Sequence, residues 1–148
     1  MRPFLPLLLL GLTGCVAIDA DGVQVQGLAC PPGETQQEVA QLFMGRNIGQ
    51  TLGVSEQDFA RFLDREVSPR FPGGFTVQDG QGRWFHEGVV YNEPSKVVRL
   101  ILSGQPDDRR KLGEIAAAYE DQFRQDAVLT TVHSACVSFW FAKDRPRR

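Results

Sequence analysis

The feature that most constrains the fold is the order in which two hydrophobic periods follow one another along residues 36–142. Val39 and Phe43 fall on one side of an extended segment, and Ala40, Leu42 and Met44 on the other, so residues 38–48 form a strand apolar on both faces. Ser55 then supplies a helix N-cap with Asp58 at the third position. Phe59, Phe62, Leu63 and Val67 recur at helical spacing until Pro69 stops them. Gly73 and Gly74 lead into a second strand that starts at Phe75, Thr76 and Val77 and reaches Trp84 and Phe85, with bulges expected at Gly80 and Gly82. After a turn at His86, Glu87 and Gly88, the return strand over residues 89–102 carries the run Val97, Val98, Leu100, Ile101, Leu102. A break is expected in its first half at Asn92, Glu93 and Pro94, and this longer hairpin is favoured over a tight turn at Asp79 and Gly80. Leu112, Ile115, Ala116, Tyr119 and Phe123 mark a second helix whose start carries Asp107 and Asp108. A last strand runs from Val128 to about Phe141.

Strand, helix, strand, strand, helix, strand is the order of a ferredoxin-like α+β domain: a four-stranded antiparallel sheet with two helices on one face. Such a sheet leaves its other face bare, and Phe43, Trp84, Val98 and Phe139 are the candidates to line it. A homodimer formed sheet to sheet would cover them. The N-terminal stretch or the aromatic end at Phe139, Trp140 and Phe141 are the other candidate covers.

Ahead of this domain, Met1 and Arg2 precede an apolar run from Phe4 that closes on Leu12, Thr13, Gly14 and Cys15. The run is interrupted by Pro6 and Gly11 and falls short of the roughly 20 apolar residues a membrane span needs. It has the layout of a signal peptide over residues 1–14, and its last four residues resemble the lipobox of bacterial lipoproteins, in which Cys15 is acylated and becomes the N-terminus. The chain is then expected in the bacterial cell envelope, lipid-anchored and facing the periplasm. Val16 in place of an aspartate favours the outer membrane of a Gram-negative cell. Residues 15–35, rich in Gly, Pro, Asp and Gln, have the composition of a tether. Removing residues 1–14 takes away only Arg2 among the charges and moves the net charge from −2 to −3, which argues against a nucleic-acid partner. The basic cluster Lys143, Arg145, Arg147 and Arg148 is a solvated tail, with contact to anionic lipid the lesser reading. With Cys15 lipidated, Cys30 and Cys136 remain as an even pair in an oxidising compartment, either bridged or held as buried thiols.

No dinucleotide fingerprint, phosphate-binding loop or nucleophile elbow occurs, and no two cysteines lie at zinc-ligand spacing, so neither cofactor nor metal is expected. His86 and His133 stand alone, a pattern more often structural than catalytic. The densest polar set is Arg46, Arg83, Glu93, Ser95 and Lys96. It is either an anion site or a structural arrangement in which Glu93 pairs with an arginine on a neighbouring strand.

The stretches QLFMGRNIG, VSEQDFARFLDREVSPRFPGGFTVQDGQGRW, EPSKVVRLIL, IAAAYEDQFRQDAVL and SACVSF resemble a bacterial envelope family known as domain of unknown function number 3574, over about residues 30–139. The resemblance implies export or lipidation, and cysteines at positions 30 and 136 that pair. It implies no catalytic residue. Three functional readings follow: a non-enzymatic envelope interaction module, a small dimeric α+β barrel enzyme for an organic substrate, and a periplasmic binder of an anion through Arg46, Arg83 and Lys96.

Overall fold

The computed structural model describes residues 29–141 apart from Glu87. The expected leader, Cys15, residues 16–28 of the expected tether and the basic tail lie outside the described residues. The elements are β1 (Thr35–Gly45), a small ribbon of β2 (Asn47–Ile48) and β3 (Thr51–Leu52), α1 (Glu56–Phe62), β4 (Thr76–His86), β5 (Val89–Ile101), α2 (Asp108–Phe123) and β6 (Leu129–Val137). The main sheet has the order β4, β5, β1, β6, every neighbour antiparallel. This is the expected split arrangement.

One face of that sheet holds the core. Ala40, Leu42 and Met44 of β1 and Val98 and Leu100 of β5 join Phe59 and Phe62 of α1 and Leu112, Ile115, Tyr119 and Phe123 of α2 in a single buried cluster. The helices meet through aromatic edges, with the Phe62 and Tyr119 ring centroids 5.0 Å apart at 80°. A fully buried phenylalanine of this kind contributes about 1.5–3 kcal/mol. Ser55 caps α1 as expected: its Oγ accepts from the Asp58 N–H at 3.1 Å, an interaction worth about 1 kcal/mol. The chain widens into one π-helical turn, Leu63–Val67, before Pro69. Asp108, buried at the start of α2, accepts from the Ser103 hydroxyl and the Gln105 N–H and so fixes the loop entering that helix.

Three local expectations are corrected. β1 ends at Gly45 rather than continuing to Ile48, because its partner at the next position is Pro94. The Arg46 N–H still donates to the Pro94 carbonyl at 3.0 Å, but proline has no N–H to return, and the chain peels away into the β2–β3 ribbon. The β4–β5 ladder pairs one to one from Thr76↔Arg99 to His86↔Val89, without a bulge at Gly80 or Gly82 and without a break at Asn92, Glu93 or Pro94. The glycines instead permit close approach, since a Cβ on Gly80 would lie 2.8 Å from Ser95 Oγ. Finally, Val98 does not line the bare face. It pairs with Leu42 and is fully buried under the helices.

Cys30 and Cys136 are bridged, with Cα atoms 5.5 Å apart. Gln36 is the residue directly opposite Cys136, so the entering chain must double back. A turn does this, with the Glu34 N–H donating to the Pro31 carbonyl and Gly33 at φ +87°.

Candidate functional site

The polar set singled out in the sequence is divided by the sheet. Arg46 and Lys96 are on the helix side, 8% and 6% exposed. The Arg46 carbonyl takes the N–H groups of Gly53 and Val54, and its guanidinium turns onto the same segment. Nε and Nη2 donate to the Val54 carbonyl at 2.9 and 2.8 Å, and Nη1 to Glu56 Oε1 at 2.6 Å. The second oxygen of Glu56 lies 2.7 Å from Lys96 Nζ, and Asp79 Oδ1, from the facing strand, lies 2.5 Å from it on another side. Two sunken cations are therefore capped by two carboxylates at the rim. Hydrogen bonds donated to Asp79 and Glu56 raise the Lys96 ammonium above its ordinary 10.5 against the cost of burial. The Lys96 hydrogen bond in turn holds Glu56 and Asp79 below their ordinary ranges. Carboxylates thus stand where an anionic ligand of Arg46 and Lys96 would sit. The salt-bridge alternative describes the arrangement, with Glu56 and Asp79 as partners in place of Glu93.

Glu93 and Ser95 project from the opposite, open face. Gly45, Ser95 and Gly80 form a row across β1, β5 and β4, and Gly82 faces Glu93 in the next row. The Glu93 carboxylate fills the space a side chain at Gly45 would take, 2.5 Å from an ideal Cβ there, and accepts the Asn47 N–H at 2.9 Å. Beneath Gly45 the buried Tyr119 hydroxyl donates to its carbonyl at 2.7 Å, and burial pushes that phenol well above its ordinary 10.0. Arg83 is opposite Asn92, farther out on the hairpin, and is not brought to Arg46 or Lys96.

The rest of the open face is mixed. Val39 and Phe43 of β1, Val97 and Ile101 of β5, Leu129 of β6 and the stacked pair Trp84 and Tyr91, 4.6 Å between centroids, share it by register with a polar row of Thr131, Gln41, Arg99 and Thr76, in which Arg99 donates to Gln41 at 3.3 Å. Ile101, Trp84 and Leu129 are 38%, 46% and 62% exposed. None of these side chains belongs to the buried cluster under the helices. His133 is also on this face, opposite Val39 on the edge strand β6. The sequence reasoning missed Glu56 and Asp79. Asp79 had a legible signal, because counting the hairpin back from its two-residue turn sets it against Lys96.

Fold and site together define a ferredoxin-like α+β domain with an ion-pair network on one side of its sheet, its cations buried and its carboxylates at the surface, and an open face bearing exposed apolar residues on the other. The chain belongs to the family described as Protein of unknown function (DUF3574), whose pattern it matches over residues 39–139. No curated protein matches it in sequence. Among solved structures it is similar to a phage SAM lyase in the apo state, at 18% identity and a TM-score of 0.53, covering 77% of this chain and 98% of that one. The phage SAM lyase in complex with S-methyl-5′-thioadenosine gives a TM-score of 0.49 at 18% identity, over 77% and 97% of the two chains. CutA from Synechococcus elongatus gives 0.47 at 10% identity, over 70% and 80%. At such identities the likeness is one of fold.

Proposed function

We propose that this chain is an exported, lipid-anchored module of the bacterial cell envelope that works by assembling through its open sheet face onto a second copy. The observation that carries this reading is the open face itself, where apolar side chains from four strands meet solvent while the helices pack only on the other side. Four strands about 4.8 Å apart and about 30 Å long offer roughly 600 Å² of flat footprint before side-chain relief is counted, close to the area per partner of a specific interface. The Cys30–Cys136 bridge supports an oxidising compartment, and the Leu12 to Cys15 motif supports the anchor. An anchor that confines the chain to one leaflet raises its effective concentration and favours pairing. Sedimentation velocity of the mature chain is expected to show a concentration-dependent dimer, and a single monomeric species at all concentrations overturns the assembly. Mass analysis of the N-terminal peptide reads the acyl groups on Cys15.

A second reading is favoured by the glycine row of the open face. A copy laid on this face would cover Gly45, Gly80 and Gly82 together with Glu93 and Ser95, which pack over Gly45 and Gly80 and would supply polar groups for a small organic substrate. The phage lyase shares the fold alone, so the ligand named with it serves as a probe. Calorimetric binding of S-methyl-5′-thioadenosine that is lost in Glu93→Gln would support the enzyme reading over the interaction module.

A further inference from the structure

At the end of the open face away from Gly45 and Gly80, the sheet carries a surface hollow of about 560 Å³, a size within the range of about 300–1,000 Å³ typical of small-molecule sites. Three neighbouring strands contribute to it, with Thr76 from β4, Arg99 and Ile101 from β5 and Gln37 from β1, and Phe139, just after β6, borders it. The rim at Gly73 and Gly74 is bare, since a Cβ at either position would meet nothing within 4 Å. Phe141 stacks on Phe139 with ring centroids 6.3 Å apart. Phe139 and Trp140 stay 66% and 87% exposed, so the aromatic end borders this corner of the open face and does not provide the cover that the sequence allowed.

Arg99 is the only lysine or arginine that the strand register places on the open face. No carboxylate pairs with it among the described residues, whereas Arg46 and Lys96 are both capped. Its one hydrogen bond among the described residues runs from Nη2 to Gln41 Oε1 at 3.3 Å, which leaves most of the guanidinium fork free. Glu93, the one carboxylate that the register places on this face, is six residues away along β5, about 20 Å, and accepts the Asn47 N–H. The anion binding that Glu56 and Asp79 foreclose at Arg46 and Lys96 is therefore open at Arg99. A single guanidinium balances a single negative charge, and its planar fork matches the two oxygens of a carboxylate. Thr76, directly opposite Arg99, adds a hydroxyl beside it. Ile101 follows two residues along the same face, about 7 Å farther on, and with Phe139 it offers apolar surface for the body of a ligand.

We infer that this hollow binds a small organic monocarboxylate with an aromatic body, its carboxylate on Arg99 and Thr76 and its ring over Ile101 beside Phe139. The site is separate from the set formed by Gly45, Glu93 and Ser95, because Arg99 and Ser95 are four residues apart on β5, about 14 Å. It is built by one chain and does not depend on the pairing proposed above.

The test titrates the full chain, labelled with nitrogen-15, with 3-phenylpropionate and follows the backbone amide shifts. The amides of Gly74, Arg99 and Ile101 are expected to move saturably, with those of Gly45 and Gly80 unmoved. 3-Phenylpropanol keeps the ring without the charge and should bind at least about tenfold more weakly. Arg99→Gln should weaken 3-phenylpropionate by at least about tenfold, and Arg99→Lys, which keeps the charge without the fork, should fall between Arg99→Gln and wild type. No saturable shift at Gly74, Arg99 and Ile101 up to about 20 mM probe overturns the inference. Equal binding of the alcohol overturns it as well, and so does an Arg99→Gln chain that binds as wild type does. The comparison of acid with alcohol uses the wild-type chain, so it decides the matter whether or not a variant folds.

Discussion

Arg46→Met removes three donors and keeps most of the apolar stem, and its cost follows from what those donors meet. Two of them fork onto the carbonyl of Val54, a fully buried residue, and would leave that oxygen without them. Hydrogen bonds from a charged group contribute about 1.5–3 kcal/mol each, and two sharing one acceptor count for less than twice that. The contact with Glu56 adds little, because that carboxylate is open to water. A loss of about 3 kcal/mol is expected, or about 12 °C in Tm at about 4 °C per kcal/mol for a domain of this size. Urea unfolding should show the same loss as a lower midpoint at an unchanged slope. Arg46→Lys keeps the charge but cannot bridge Val54 and Glu56 at once, and it should fall between wild type and Arg46→Met. Arg46→Met within about 2 °C of wild type would refute the reasoning and return Arg46 to the candidates for binding a ligand.

Two other perturbations test the same framework. Reducing Cys30–Cys136, or replacing both with serine, opens a loop of 106 residues and should cost about 4–5 kcal/mol in the chain-entropy account, read as the difference between urea curves with and without reductant; coincident curves would contradict it. The Lys96 network makes stability depend on pH at both extremes. Glu56 and Asp79, held below their ordinary 4.5 and 3.8, stabilise the fold above those values and lose that contribution as pH falls through their lowered folded-state pKa values. Lys96, held above 10.5, contributes fully below that value and loses its contribution as pH rises through its raised one. Lys96→Met should therefore flatten the alkaline fall and weaken the acid one, and an unchanged profile between about pH 3 and 11 would count against the network.

The element order was legible because the two periods are strong where packing demands them. Phe59, Phe62 and Val67 can only be one face of a helix, and Leu112 to Phe123 another. The phase of β5 was not legible. Val97, Val98, Leu100, Ile101 and Leu102 are apolar on both sides, so alternation alone could not say that Val98 faces the helices and Val97 the open side. The end of β1 was hidden for another reason, since it is set by Pro94 on a different strand. At the site, Arg46 and Lys96 stood out as charges within apolar segments, yet the carboxylates that neutralise them come from α1 and β4. Only the tertiary fold brings Glu56 to both cations. Glu93 was expected beside an arginine and lies instead over Gly45, because a glycine on the open face leaves room for its carboxylate.

The central claim, that the chain assembles through its open face, is tested most directly by placing a charge there. Ile101→Lys and Leu129→Lys change exposed open-face positions without touching the core, and Asp121→Lys places the same residue on α2, outside that face. Sedimentation equilibrium should show each open-face variant dissociating at least about tenfold more readily than wild type, a change of about 1.4 kcal/mol, while Asp121→Lys pairs as wild type does. Equal association by all four proteins would contradict the account.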